Sequence, residues 1–364
     1  MPDADHDELD ASRPSPRYST MLGAALSVIV LSCVAFLVPV PYVTMQPGPA
    51  FDTLGDFDGK PMFTFGSDVK TYDDTKGSLD FTTVSVSREG SRLSIFDAVS
   101  TYFSDDSAVV PKSFVYRDGE SQQQSDAEGA AQLTSSKDNS RVAALRAAGY
   151  PVPEVPVVKS VDEKGAAAGI LRKDDEILEV DGTRMTSAEQ VVRTVGRFEP
   201  GDTATLKVRR KGETRTVDVV TRPDAKDPRT PRVGVGLGAR FEYPFTITNN
   251  VGSQIGGPSA GTMFALAIYD RLTPGPLTGG LRVAGTGEIS PEGVVGPIGG
   301  IRQKIAGAAK DDVEVFLVPA QNCGEALKGD DHGLTLVKVS TLQGAIDALG
   351  KLAKDKDAKV PRCR

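Results

Sequence analysis

The stretch QIGGPSAGTMFALAIYD, Gln254 to Asp270, sets a serine between a glycine-rich approach and an apolar run of helical length. A serine at such a helix start can cap the helix by accepting a backbone N–H bond. It can also attack an acyl carbon, with the unpaired N–H groups and positive dipole of the helix start stabilising the oxyanion. A capping box wants Glu or Gln at position 262, where Thr262 stands, whereas Gly256, Gly257 and Gly261 leave the backbone open to a substrate carbonyl. Pro258 carries no N–H, so the oxyanion donors fall on Ser259 and its neighbours.

A nucleophilic serine needs a base. The chain holds 2 histidines, His6 near the amino terminus and His332 in the polar loop GDDHG, so a histidine base would have to be His332 and a His-Glu-x-x-His zinc site is ruled out. The usual alternative is a lysine kept neutral by desolvation. In IGGIRQKIAGAAKDD, Ile301, Ile305 and Ala308 mark one helical face, and Lys304 falls on it. Arg302, Gln303 and Lys310 are expected to point elsewhere, which makes Lys304 the charged residue predicted to be buried. The alternative is a lysine whose stem packs while its ammonium reaches water. No metal and no cofactor is expected.

Several elements must position this pair. KGSLDFTTVSV alternates as a strand, LSIFDAVSTYF changes to helical spacing, Ser121 to Ser136 reads as a polar loop, and SSKDNSRVAALRAAGY predicts a helix stopped by Gly149. RPDAKDPRTPR, Arg222 to Arg232, has a linker's composition, and residues 351–364 read as a solvated lysine-rich tail. Met21 to Val43 is uncharged and long enough to span a bilayer. Arg13 and Arg17 precede it and nothing basic follows until Lys60, which puts residues 1–20 in the cytoplasm and all that follows 21–43 outside. A cleavable signal peptide is the rival reading, but no Ala-x-Ala site follows the run. Cys323 and Cys363 fall in the external part, where an oxidising compartment permits a disulfide; the alternative is a buried thiol and a frayed end. A net charge of -7 without a basic cluster excludes a nucleic-acid surface, and no Walker pattern is present, so no ATPase is expected in this chain.

Two family resemblances emerge. Residues 151–223 order strand, small-residue turn, AAAGILRKDDEILEVDG, helix and two strands joined at Lys211-Gly212, and this resembles a PDZ domain of the bacterial protease-associated type. Such domains bind extended peptide ends by strand addition. The carboxylate-binding loop is expected near Gly149 to Val152.

GGPSAG followed by GTGEISPEGVVGPIGGIRQKIAGAA resembles the proteolytic domain of the Lon family of serine peptidases. That resemblance implies Ser259 as nucleophile, Lys304 as general base, Thr286 as the hydroxyl that orients the lysine, and Gly257 and Gly261 as supporting residues. Gly256 departs from the family, which commonly has an acidic residue there. The implied fold class is α+β: a Lon-type proteolytic domain formed by residues 44–150 and 224–350, with the PDZ unit inserted between and one transmembrane helix before them. The implied function is an ATP-independent, membrane-anchored serine endopeptidase acting on extracytoplasmic proteins or peptides, in the manner of the bacterial Lon-like PDZ proteases. The resemblance further suggests a homo-oligomeric ring. The competing readings are a non-catalytic PDZ adaptor and a protease that mainly processes itself.

Overall fold

The computed structural model describes residues 16–73, 76–117 and 119–364. Most of the expected cytoplasmic tail, His6 and Arg13 included, lies outside the described residues. Helix α1 (Pro16–Leu37) contains a stretch, Arg17–Leu37, long and apolar enough to cross a membrane by length and composition. The helix begins before residue 21 and ends short of residue 43, so its bounds differ from those of the expected span. Pro39 and Pro41 cannot continue a helix, and Val43 is buried in β1 (Tyr42–Asp52) instead of extending α1.

The chain next forms β2 (Ser78–Val86), α2 (Ile95–Tyr102), β3 (Ala108–Pro111) and α3 (Gln122–Ala147). The expected loop at Ser121 to Ser136 is thus the first half of a long helix. Ser121 and Gln124 start it with a reciprocal capping box, a signal that the segment's polarity masks.

A separate sheet then forms from β4 (Glu154–Val161), β5 (Glu176–Val180), β6 (Thr203–Arg210), β7 (Glu213–Val220) and β8 (Val235–Phe241), with α4 (Ala188–Val195) between β5 and β6. Its order is β7-β6-β5-β4-β8, so Val235–Phe241 completes this sheet, and the expected boundary at 223/224 falls too early. The segment Arg222 to Arg232 is not an open linker either. It folds back as a hairpin pairing Arg222 with Arg232 and Pro223 with Pro231, closed by an Asp224–Arg232 ion pair at 2.7 Å.

The remaining elements are α5 (Gly261–Leu272), β9 (Arg282–Gly285), α6 (Ile301–Ala308), β10 (Val315–Pro319), β11 (Thr335–Val339) and α7 (Leu342–Leu352). They share a mixed sheet with the early strands, in the order β11-β10-β9-β2-β1-β3. β2 runs parallel to β9 on one side and antiparallel to β1 on the other. Both faces of β2 are covered: Leu79 and Phe81 enter the core with α3, α5 and α7, while Asp80 and Thr82 are buried on the opposite face, that of α6. α5 is apolar on nearly every side because it lies inside this core.

The carboxy-terminal segment expected to be solvated instead packs along β11. Lys338 N–H donates to Pro361 O and Cys363 N–H to Leu336 O, and Cys363 is bonded to Cys323. With the cysteines 40 positions apart, closing that loop removes unfolded-state entropy worth about 4 kcal/mol.

Candidate active site

Ser259 is half-buried at the approach to α5, yet it does not cap that helix. Ala260 occupies the N-cap and makes no side-chain capping bond. The Ser259 backbone is held instead: its carbonyl accepts from Gly287 N–H at 2.7 Å and from the Thr286 hydroxyl at 2.9 Å. This frees Oγ to point into a cavity of about 270 Å³ between Thr83–Ser85 of β2 and the loop Gln254–Gly257.

Lys304 reaches the same cavity from α6 and is 2% exposed. Its ammonium therefore does not snorkel to water. Nζ donates to Ser259 Oγ at 3.1 Å and to Thr82 O at 2.5 Å. Burial pushes the Lys304 pKa down from 10.5 to about 7, with no carboxylate acting to restore it. A lysine that is substantially neutral near neutral pH can accept a proton from a serine hydroxyl within hydrogen-bond reach.

Thr286 is fully buried beside the pair, but its hydroxyl holds the Ser259 carbonyl and not the lysine. The Lys304 amine is oriented by Thr82 O. Parallel pairing with β9 covers β2 only through Phe81, so the next carbonyl is available to a partner other than the ladder. Gln303, expected to point outward, is 3% exposed beneath α6. An eight-residue helix packed over a sheet buries more than one stripe, which helical spacing alone understates.

The two supporting glycines act differently. Gly257 has φ +87 and open space where a Cβ would stand, so it serves the turn that leads to Ser259. Gly261 does not open a path for substrate. A Cβ there would sit 2.8 Å from both Ser136 Oγ and Ile289 Cγ2, so its role is close packing of α5.

α3 supplies residues not singled out by their chemistry. Ser136 Oγ donates to Pro258 O at 2.9 Å, Lys137 Nζ donates to Val251 O at 2.6 Å and to Asn249 O at 3.3 Å, and Gly129 O accepts from Gly257 N–H at 3.0 Å. One face of α3 thus clamps the backbone that carries Ser259, while most of its other polar side chains face solvent. These contacts go to carbonyls, which any residue type carries, so spacing offered no signal for their partners.

A second groove of about 370 Å³ lies between α4 and the edge strand β8, lined by Val191, Val192, Val195, Val235 and Leu237. The segment at its mouth is Pro231 to Gly234, directly before β8. Gly149 to Val152, expected there, instead ends α3 and leads into β4, with Tyr150 N–H bonded to Leu145 O.

Comparison with known proteins finds two families along the chain, with bounds that differ from those of the two sheets. Residues 253–347 match the Lon protease (S16) C-terminal proteolytic domain, and residues 130–221 match the PDZ domain, a match that starts inside α3 and stops before β8. Lon protease 2 of Bacillus subtilis is 35% identical over 108 residues, covering 30% of this chain and 19% of that protein. Lon protease 2 of Herpetosiphon aurantiacus is 46% identical over 66 residues, 18% of this chain and 8% of that protein. The chain thus spans a fifth or less of the length of these two relatives. Among solved structures, the PDZ domain of the SdrC-like protein from Listeria innocua is 28% identical and covers 23% of this chain and 92% of that one, with a TM-score of 0.22.

Proposed function

We propose, from the premise that this chain carries a Lon-type (S16) proteolytic domain together with a PDZ domain, that it is a membrane-anchored serine endopeptidase in which Lys304 activates Ser259. The observation that carries the reading is the 3.1 Å contact between Lys304 Nζ and Ser259 Oγ, made by a lysine that burial has brought to a pKa of about 7.

Neutral Lys304 takes the Ser259 proton as Oγ attacks a peptide carbonyl, and the C=O electron pair moves onto oxygen. The N–H groups of Ser259 and Ala260 face the developing oxyanion, since Gly261 N–H is engaged by Pro258 O and Thr262 N–H by Gly287 O. Lys304 then returns the proton to the leaving amine, leaving the acyl-enzyme. A water gives its proton to Lys304, its oxygen bonds to the acyl carbon, and the ester bond to Ser259 breaks as Lys304 passes that proton to the departing Oγ, which restores the serine hydroxyl and the neutral amine. Thr286 and the Thr82 carbonyl are positioning groups: the first fixes the nucleophile's backbone, the second the base. Cleavage is read as ATP-independent, on extended or loosely folded segments.

The α4–β8 groove serves as the docking site, with a peptide added as a strand to the free edge of β8. The proteolytic domain is read as split around the PDZ unit, because β2 pairs with β9 across the intervening sheet. The α1 helix anchors the chain, and the remainder faces an oxidising compartment, in keeping with the Cys323–Cys363 bond.

The test compares cleavage of casein by the full chain with that by Ser259→Ala, Lys304→Ala and Lys304→Arg. All three substitutions should abolish cleavage while leaving the circular dichroism spectrum intact. Full activity in Lys304→Arg would sink the lysine-base assignment, because arginine does not deprotonate in this range.

A further inference from the structure

Helix α2 leaves much of an apolar face exposed. It begins with a Ser94–Asp97 capping box, none of its residues is buried, and Phe96, Val99 and Phe103 lie along one side at helical spacing. Phe103 is 78% exposed and Tyr102 beside it 74%. Nearby, Phe114 in the turn after β3 is 81% exposed.

These side chains gather around one point. Pro39 and Val40, just past the end of α1, pair with Ser94 and Leu93, just before α2. The Phe36 ring of α1 lies 4.6 Å from that of Phe96, and Lys112 N–H bonds Pro41 O. Among the described residues, the strongly exposed aromatic side chains are Tyr18, Phe36, Tyr42, Phe96, Tyr102, Phe103 and Phe114. Tyr18 stands at the start of α1, and the other six stand at its end or on the elements joined to that end. Aromatic side chains concentrated at the two ends of an apolar helix, and absent from the rest of the exposed surface, are the distribution that a bilayer interface selects. A surface patch for a soluble partner would have no reason to follow the ends of α1.

We infer that α2, with Phe103 and Phe114, lies in the interfacial layer of the bilayer crossed by α1, forming a second and in-plane membrane contact. The inference rests on reading α1 as a membrane span. Continuity fixes the occupant: the apolar side of α2 starts where α1 leaves the hydrocarbon, and an amphipathic helix buries such a side at the headgroup boundary. The short pairing of 39–40 with 93–94 couples this contact to β1, and hence to the sheet that carries the candidate active site. The contact would hold the proteolytic domain at a set orientation to the membrane, instead of leaving it to swing on α1.

The chain contains no tryptophan, so a single introduced one is a clean reporter. Phe103→Trp, Val30→Trp within α1 and Val220→Trp on β7 are each placed in the full chain and reconstituted in phosphatidylcholine vesicles. Bromine on the lipid is positioned either high or low in the acyl chain. The expected result is that the Trp at 103 loses at least half its emission with shallow bromine, the Trp at 30 is quenched by deep bromine, and the Trp at 220 by neither. A quenched Trp at 30 with an unquenched Trp at 103 overturns the interfacial contact and leaves the span standing. If neither is quenched, the span reading fails as well. An unquenched Trp at 103 whose emission shifts to the blue as protein concentration rises would show the face covered by a second copy, which also overturns the proposal.

Discussion

At the residue scale, the proposed mechanism makes Lys304 tie catalysis and stability to one proton. Its folded pKa of about 7 lies below the 10.5 of an exposed lysine, so the charged form is the disfavoured one inside the fold. The cost of holding it charged is complete below about pH 7 and fades as pH rises toward 10.5, so stability contributed by this site increases across that window. Lys304→Met is accordingly expected to abolish cleavage while raising the unfolding free energy by about 2–5 kcal/mol at pH 6, with the gain shrinking by pH 9.5. Calorimetry at the two pH values checks this, and a variant less stable than wild type at pH 6 refutes it. Cleavage should rise with pH through about 7, following deprotonation of the same amine. Asp80, buried on the strand that holds Thr82, has its own carboxyl pushed up to about 6 by burial and then by Asp52. Asp80→Asn should therefore leave the cleavage profile centred near 7, separating the two titrations. The pairing of Ser259 with Lys304 was legible in the sequence because a candidate nucleophile and a candidate base must be particular residue types. The carbonyl of Thr82 was not, since any residue supplies one.

At the element scale, the informative case is α3. Polarity alone predicts a loop over its first half, although Ser121 and Gln124 carry a capping box. Polar residues inside a helix normally face water, but here Ser136 and Lys137 face backbone carbonyls of the segment leading to Ser259. Lys137 is held below the usual lysine range by burial and by Arg141, as expected for an amine enclosed against that segment. Removing its two hydrogen bonds leaves the Asn249 and Val251 carbonyls unpaired and the approach to Ser259 loose. Lys137→Met should lower kcat/KM by about tenfold or more, roughly 1.4 kcal/mol of barrier. Because the effect runs through geometry, labelling of Ser259 by a phosphonofluoridate should slow in parallel, and Lys137→Arg should restore part of both. A variant with normal labelling but slow cleavage would place Lys137 in substrate binding instead. The PDZ elements were the easiest to read, each strand and turn announced by its own punctuation. The exception was β8, whose glycines at 236 and 238 hide strand alternation and whose partner β4 lies more than seventy residues earlier.

At the scale of the whole molecule, what eluded sequence reading is what depends on distant pairing. The junction at Arg222 to Arg232 has a linker's composition, yet a short hairpin ladder, an ion pair and the Arg222 bond to Lys164 O make it part of the PDZ unit. The carboxy-terminal segment is rich in lysine, yet the Cys323–Cys363 bond and the Leu336 and Lys338 contacts bind it to β11. The strand order carries the largest consequence. β9 sits between β10 and β2, so the core around α5 includes Leu79 and Phe81 from a part of the chain that precedes the PDZ unit. A fragment beginning at Asp224 contains Ser259, Thr286 and Lys304 but lacks β1, β2 and α3. It would expose one edge of β9 and the α5 side of the core, and it would lose the Thr82 carbonyl that orients the lysine. Such a fragment should unfold without a cooperative thermal transition and should not react with the phosphonofluoridate. Adding residues 38–150 as a separate chain should restore both properties if the proteolytic domain is split around the PDZ unit. Cooperative unfolding of the Asp224 fragment by itself would instead mean that its strands close a core unaided, and the split-domain reading would fall while the Ser259–Lys304 assignment remained open to its own test.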